Sequence, residues 1–337
     1  MPGIPRRSGN PGGTVARMPG KVVEDALALL CAKYVFPDRA EQAAAAIRAR
    51  LDAGEYAGLD EAALGERLTE HLYDVCADKH LRVRVRDPEL HETVTEAEAE
   101  AVWREQLRLS NYRIARVERL DGNVGYLDLR GVADPATGGR AIAAAMELVS
   151  HTHALIIDLR KNRGGSPDGA IFWTSYLFPD SETHLNSIYD GATGRTRQYW
   201  SLAYLPGERY LDRPVYVLTS SFTFSAGEEV AYNLKAQGRA TLIGETTRGG
   251  AHPTEVFPVT PTLEITVPIA RSVNPVTGTN WEGTGVQPDI AVPAGEAFAI
   301  AYRKALQHVL TTSTSPAVLE EARTALAGSD GPVSGAR

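Results

Sequence analysis

Two spacings of apolar and polar residues divide the chain, a helical one first and a strand–helix alternation after it. From Lys21 to Ala77 the period is helical. KVVEDALALLCAKY puts Val23, Leu27, Leu30 and Tyr34 on one stripe, and Pro37 breaks it. PDRAEQAAAAIRARLDAG opens on proline and closes on glycine, the asymmetry of a helix with defined ends. Asp60 can cap the next segment, where Leu64, Leu68, Leu72 and Val75 recur at helical spacing. A short strand, Leu81 to Val85 with alternating Arg82 and Arg84, closes this part, and Thr93 to Leu109 reads as a connecting helix. The period then changes. YRIARVERL, NVGYLDLRG, HALIIDLR, PVYVLTS, ATLIGE and LEITVPIA are strand-like, interleaved with helices at about 138–150, 167–177 and 226–237. That alternation predicts an α/β protein with a mixed, partly parallel sheet. A last strong helix runs from Gly295 to Leu310, with one more short helix after it. The predicted organisation is a disordered tail (1–20), an N-terminal helical domain (21–88), a connecting helix (89–111), the α/β core (112–310), and a C-terminal helix and disordered tail (311–337).

Composition narrows the partners more than the fold. With 337 residues the chain is long enough for a large core, and 43% hydrophobic residues are ordinary for a globular protein. A net charge of −7 supplies no field for a polyanion, so nucleic acid is not an expected partner. Cys31 and Cys76 fall in apolar helical patterns and are expected to be buried thiols, without a disulfide framework or metal cluster. No apolar run reaches the ~20 residues that span a bilayer. The N-terminus carries Arg6, Arg7 and Arg17 without the apolar centre of a secretory signal, so a cytoplasmic location is expected by default.

Chemistry concentrates at the ends of the core strands. After Val215–Leu218, a cluster of hydroxyls leads to Ser225-Ala226-Gly227-Glu228 at the start of a helix. A serine there gains from the helix dipole, and the Ala226 amide can donate to an oxyanion. The same four residues fit an S-x-x-E capping box, in which the serine only caps. Thr223 in place of the first glycine disfavours the G-x-S-x-G elbow. Gly164 and Gly165, after the strand ALII, form either an oxyanion turn or merely a tight strand-to-helix turn. His80 stands where the helical part hands over to a strand, a position that lines clefts as readily as it serves structure. Glu282, in a glycine-rich loop, is either solvated or the group that orients a base. His252 is a rival base or a substrate contact, and His151 and His153 lack a third ligand at metal spacing, so no metal and no cofactor are expected.

Five segments, DKHLRV, the strand leading into DLRKNRGG, TSSFTFSAGEEVAYNLK, LIGETTRGGAHP and EGTGVQPDI, resemble in sequence and order the S41 family of serine peptidases. That family includes tail-specific proteases, the catalytic part of tricorn protease and interphotoreceptor retinoid-binding protein. The helical segment with its YVFPD turn is most similar to the last of these. The resemblance implies a crotonase-like (ClpP-type) core of stacked βα units, with 112–310 as the catalytic core. It also implies Ser225 as nucleophile and oxyanion donors at Gly164, Gly165 and Ala226. Processing proteases of the family pair their serine with a lysine, but Gly250 stands at that position here. The tricorn-like pattern instead implies His80 as general base and Glu282 as its supporting acid, with Lys79 replacing the bridging serine. A PDZ domain of roughly a hundred residues has no room between His80 and the sheet.

The expected function is therefore a serine peptidase acting on peptides or unfolded protein. Two alternatives accompany it. One is an apolar-ligand-binding module of the retinoid-binding type, with Phe172, Trp173 and Tyr176 lining a pocket. The other is a hydrolase or acyl transferase for a small peptide or acyl metabolite.

Overall fold

The computed structural model describes residues 19–86 and 96–329. Most of the expected N-terminal tail, the start of the expected connecting helix and the extreme C-terminus lie outside the described residues. In chain order the elements are α1 (Pro19–Lys33), α2 (Pro37–Asp52), α3 (Glu61–Cys76), β1 (Arg82–Val85), α4 (Glu96–Leu109), β2 (Ile114–Leu120), β3 (Val124–Leu129), α5 (Pro135–Val149), β4 (Ala154–Asp158) and α6 (Pro167–Ser175). There follow β5 (His184–Asp190), β6 (Thr196–Trp200), β7 (Val215–Thr219), α7 (Ala226–Ala236), β8 (Thr241–Gly244), β9 (Thr254–Pro258), β10 (Leu263–Pro268), β11 (Ala270–Val273), β12 (Ile290–Ala291), α8 (Ala294–Thr312) and α9 (Pro316–Ser329).

The central sheet has the order β12-β8-β7-β4-β3-β2. All its pairs are parallel except β2–β3, which makes it the expected mixed sheet. Alternate residues of each strand serve different cores. Leu155 and Ile157 face α5, α6 and α7, while Ala154 and Ile156 face α8 and α9. Burial on both faces explains why these strands read as unbroken apolar runs. On α8, Ala297, Ala301 and Ala305 repeat every four residues and bring that helix close to the sheet. The stacked βα units place the C-terminal ends of β4, β7 and β8 along one edge, where ligands bind in such sheets.

The N-terminal helices bury their stripe (Val23, Leu27 and Leu30; Leu64, Leu68 and Leu72) against Leu263, Ile265 and Val267 of β10. Their hydrophobic interior is thus completed from the far end of the sequence, and β1 pairs antiparallel with β10. Asp60 caps α3 through the Ala63 amide at 2.8 Å. Ala77 ends α3 in the left-handed region (φ 53°), a helix stop more often made by glycine, and turns the chain into Asp78-Lys79-His80.

Several expectations need correction. Cys31 is exposed rather than buried, because it follows Leu30 around the helix and leaves the stripe, whereas Cys76 is buried. LEITVPIA is not one strand. Pro268 ends β10, and the chain resumes as β11 in a different sheet, β11-β5-β6. Trp173 and Tyr176 are buried in the core over the central sheet, and Phe172 packs against it. Among the described residues no helix is long and apolar enough to cross a membrane.

Candidate active site

Ser225 precedes α7 with φ 55° and ψ −128°, a conformation that side chains other than hydrogen rarely adopt. Such strain persists only where surroundings enforce it, and here they do. The Phe224 amide is tied to the Asn162 carbonyl at 3.1 Å, and the Ser225 amide donates to Glu228 Oε2 at 2.9 Å. The Glu228 amide bonds the Ser225 carbonyl at 2.7 Å, and with the Glu228 carboxylate on the Ser225 amide this forms the S-x-x-E capping box that the sequence suggests. A Cβ on Gly164 would stand 2.6 Å from Ser225 Cβ, which is why the glycine turn can press against the serine.

The turn is clamped by Asn162, which is fully buried. Its Oδ1 accepts the Gly164 amide at 2.8 Å and its Nδ2 donates to the Leu129 carbonyl at 2.8 Å. Of the three amides expected at an oxyanion site, that of Gly164 is therefore already used. Those of Gly165 and Ala226 have no protein acceptor among the described residues, and both residues line the same cavity as Ser225.

That cavity, of about 170 Å³, is also lined by His80, Gly250 and His252. His80 stacks on Phe224, the residue before the serine, with ring centroids 4.4 Å apart. Burial lowers its pKa to about 4; Asp78 opposes this, while His252, Arg82 and Arg248 add to it. The ring is thus neutral near pH 7 and free to accept a proton. Asp78 is 1% exposed and accepts three bonds: the His80 amide at 2.9 Å, His252 Nδ1 at 2.6 Å and the Tyr34 hydroxyl at 3.3 Å. Burial works to raise its pKa, but the bond and charge of His252 and the His80 amide outweigh it and hold the group ionised.

Glu282 completes the cluster. Its Oε2 accepts the Ala251 amide at 2.5 Å and lies 3.5 Å from His252 Nδ1. Burial, then the negative charge of Asp78, pushes its pKa up to about 7. Two buried atoms here have no protein partner: His80 Nδ1 and Glu282 Oε1. One donor atom each from Asp78, His80 and Glu282 lies within 4.8 Å of the others, a spacing that suits a bridging water or a cation. Asp78 has already committed three of about four acceptor sites, which favours a proton relay. The Lys79 side chain does not enter the cluster, its ammonium donating to the Arg248 carbonyl, but its backbone hydrogen-bonds Glu282.

The loop after β8 shows why a lysine is absent at Gly250. A Cβ there would meet Phe224 Cε2 at 2.3 Å and His80 Cε1 at 2.7 Å, so the histidine already occupies that space. The loop is fixed from beneath by Glu228, which is wholly buried and accepts from Thr247 Oγ1 (2.5 Å) and from the amides of Gly249 (2.6 Å), Gly250 (2.9 Å) and Ser225. Trp281 Nε1 donates to the Gly250 carbonyl at 2.7 Å, which sets Glu282 beside the loop. Asp78, Asn162 and Glu228 were not among the residues expected from sequence. The D-x-H spacing and the S-x-x-E box were the available signals for the first and last. On the other side of the glycine turn, a larger cleft of about 740 Å³ runs beneath α4 and is lined by Arg104, Arg113, Arg130 and Arg163.

These parts define a crotonase-like α/β protein with a serine-centred site at the ends of its parallel strands. The chain belongs to peptidase family S41: the model of that family matches residues 123–292, and that of the N-terminal domain of Peptidase S41 in eukaryotic IRBP matches residues 14–119. It is similar to the chloroplastic carboxyl-terminal-processing peptidase 1 of Arabidopsis thaliana, with 26% identity over 179 residues, 53% of this chain and 35% of the relative. It is also similar to the carboxyl-terminal-processing protease of Synechocystis, with 30% identity over 155 residues, 45% of this chain and 34% of the relative. The chain thus spans about a third of the length of these curated relatives. The fold is shared with the crystal structure of the tricorn protease, at 12% identity and TM-score 0.53, over 93% of this chain and 37% of that one.

Proposed function

We propose that the protein is a serine peptidase in which Ser225 is the nucleophile, His80 the general base and Glu282 the supporting acid. Ser225 Oγ attacks the scissile carbonyl while its proton passes to His80, and the amides of Gly165 and Ala226 receive the oxyanion. Collapse of the tetrahedral intermediate expels the amine, which takes the proton from His80. Water then repeats the sequence on the acyl-enzyme. Ionised Glu282, acting through a bridging water at the two unpartnered atoms, and Asp78 together stabilise the imidazolium. Family membership supports this reading, and the observation that carries it is the strained helix-start serine, which shares one cavity with His80 and with Gly165 and Ala226.

The test is labelling by a fluorophosphonate probe, read by mass spectrometry of the tryptic peptide holding Ser225. Adduct on Ser225 in the wild type, and none in Ser225→Ala, is expected. An unreactive, folded wild type would instead favour a non-catalytic binding role. Cleavage of small esters but not of unfolded casein would move the substrate class to small acyl or peptide metabolites.

A pH dependence follows from Glu282. His80 is neutral above about 4, whereas Glu282 becomes a carboxylate only as pH rises through about 7. The competent combination, neutral imidazole with ionised carboxylate, therefore accumulates on the alkaline side. The profile of kcat/KM is expected to rise between pH 6 and pH 8 with a midpoint near 7, the value that burial and the Asp78 charge give Glu282. In Glu282→Gln that limb should disappear and the plateau fall. An unchanged limb in the variant would remove Glu282 from the relay.

A further inference from the structure

The cavity beside Ser225 has a second acidic wall that the acyl-transfer steps leave unused. Glu229 lies one turn along α7 from Ser225, and residues four apart share a helix face. It is 3% exposed, lines the cavity, and its Oε1 accepts Asn186 Nδ2 from β5 at 2.9 Å. No lysine or arginine lines this cavity, and Glu229 has no cationic partner among the described residues. Asp168, whose charge reaches Glu229, is itself paired with Arg197 at 2.9 Å. Burial pushes the Glu229 carboxyl up to about 7, the Asp168 charge adds to this, and the amides of Asn186 and Asn233 oppose it. A carboxyl group buried without a counter-ion is costly, and an apolar residue would pack that position at lower cost. Its presence in the wall of an open cavity makes sense if the counter-ion arrives with the substrate. The volume of about 170 Å³ holds five or six waters at ~30 Å³ each, the space of one extended side chain. Thr254 and Ser272 place hydroxyl-bearing residues along the same wall.

We propose that Glu229 is the specificity-determining residue of this cavity and receives the ammonium or guanidinium group of a lysine or arginine flanking the scissile bond. This rests on Ser225 being the acyl-transfer nucleophile. The charged head displaces water at Glu229, the carboxylate ionises against it, and the aliphatic stem lies along Ala226 and Pro253.

The test uses matched internally quenched peptides with lysine or norleucine placed on either side of the cleaved bond. The wild type is expected to prefer lysine by about tenfold or more in kcat/KM, and Glu229→Gln to lower that lysine-to-norleucine ratio by about tenfold or more. No lysine preference, or a ratio unchanged in Glu229→Gln, overturns the assignment. Binding of the same two peptides to Ser225→Ala, measured by calorimetry, separates the two readings. Lysine-selective binding with no wild-type cleavage leaves the Glu229 site standing and sinks the peptidase. Fluorophosphonate labelling with no lysine-selective binding does the reverse.

Discussion

Replacing His80 by glutamine is expected to lower kcat/KM by about 1,000-fold or more, the scale seen when one member of a nucleophile–base unit is removed. Glutamine keeps much of the shape that stacks on Phe224 at 4.4 Å, but it cannot take a proton from Ser225. His252→Gln is the necessary control, because His252 lines the same cavity and is held by Asp78 at 2.6 Å. An amide at that position can still donate to Asp78, so its loss should be only about tenfold to a hundredfold, the effect of disturbing a positioning group. Steady-state kinetics on both variants, with melting temperatures to show that each folds, decides between them. If His252→Gln proves the more damaging, the base is His252 and His80 is its support.

Glu228→Ala should cost the protein about 4 kcal/mol or more of folding stability. Four buried donors, the Thr247 hydroxyl and the amides of Ser225, Gly249 and Gly250, would lose one shared acceptor. Each stranded donor costs about 1–3 kcal/mol, against a total stability for a typical domain of only about 5–15 kcal/mol. Burial raises the pKa of Glu228, and these same four bonds pull it down, offsetting part of the desolvation. Urea denaturation would measure the loss. A destabilisation below about 1 kcal/mol would mean that water enters and satisfies the donors, and that the loop does not depend on this carboxylate.

The α/β core was legible because its signals are local. Ala154–Asp158 and Val215–Thr219 read as strands from continuous apolar runs, since both faces of that sheet are covered. β5 and β6 were not legible. The fully buried β5 positions include Asn186, and β6 is almost wholly exposed, so neither shows an apolar alternation. Cys31 misled for a related reason: an apolar run shows that a helix is half-buried but leaves the edge of the buried stripe uncertain by one residue. At the site, Ser225, Gly164, Gly165, His80 and Glu282 are named from sequence as candidates, while Asp78, Asn162 and Glu228 are not. The last three act through several bonds each, to partners that only the folded chain brings within reach.

The sequence by itself determined the βα periodicity, the serine at a helix start and the paired glycines, because each depends on dihedral preferences and burial within one segment. It also showed that the loop after β8 carries Gly250 and no lysine. Only the tertiary structure decided what that glycine means. A Cβ there would collide with the ring of His80, a residue delivered from the N-terminal helices by the left-handed turn at Ala77. The same packing brings Asp78, His252 and Glu282 into one buried cluster and sets the protonation of Asp78 and Glu282. Such couplings are non-local and arise from desolvation, which acts on a group only once the rest of the chain has closed around it.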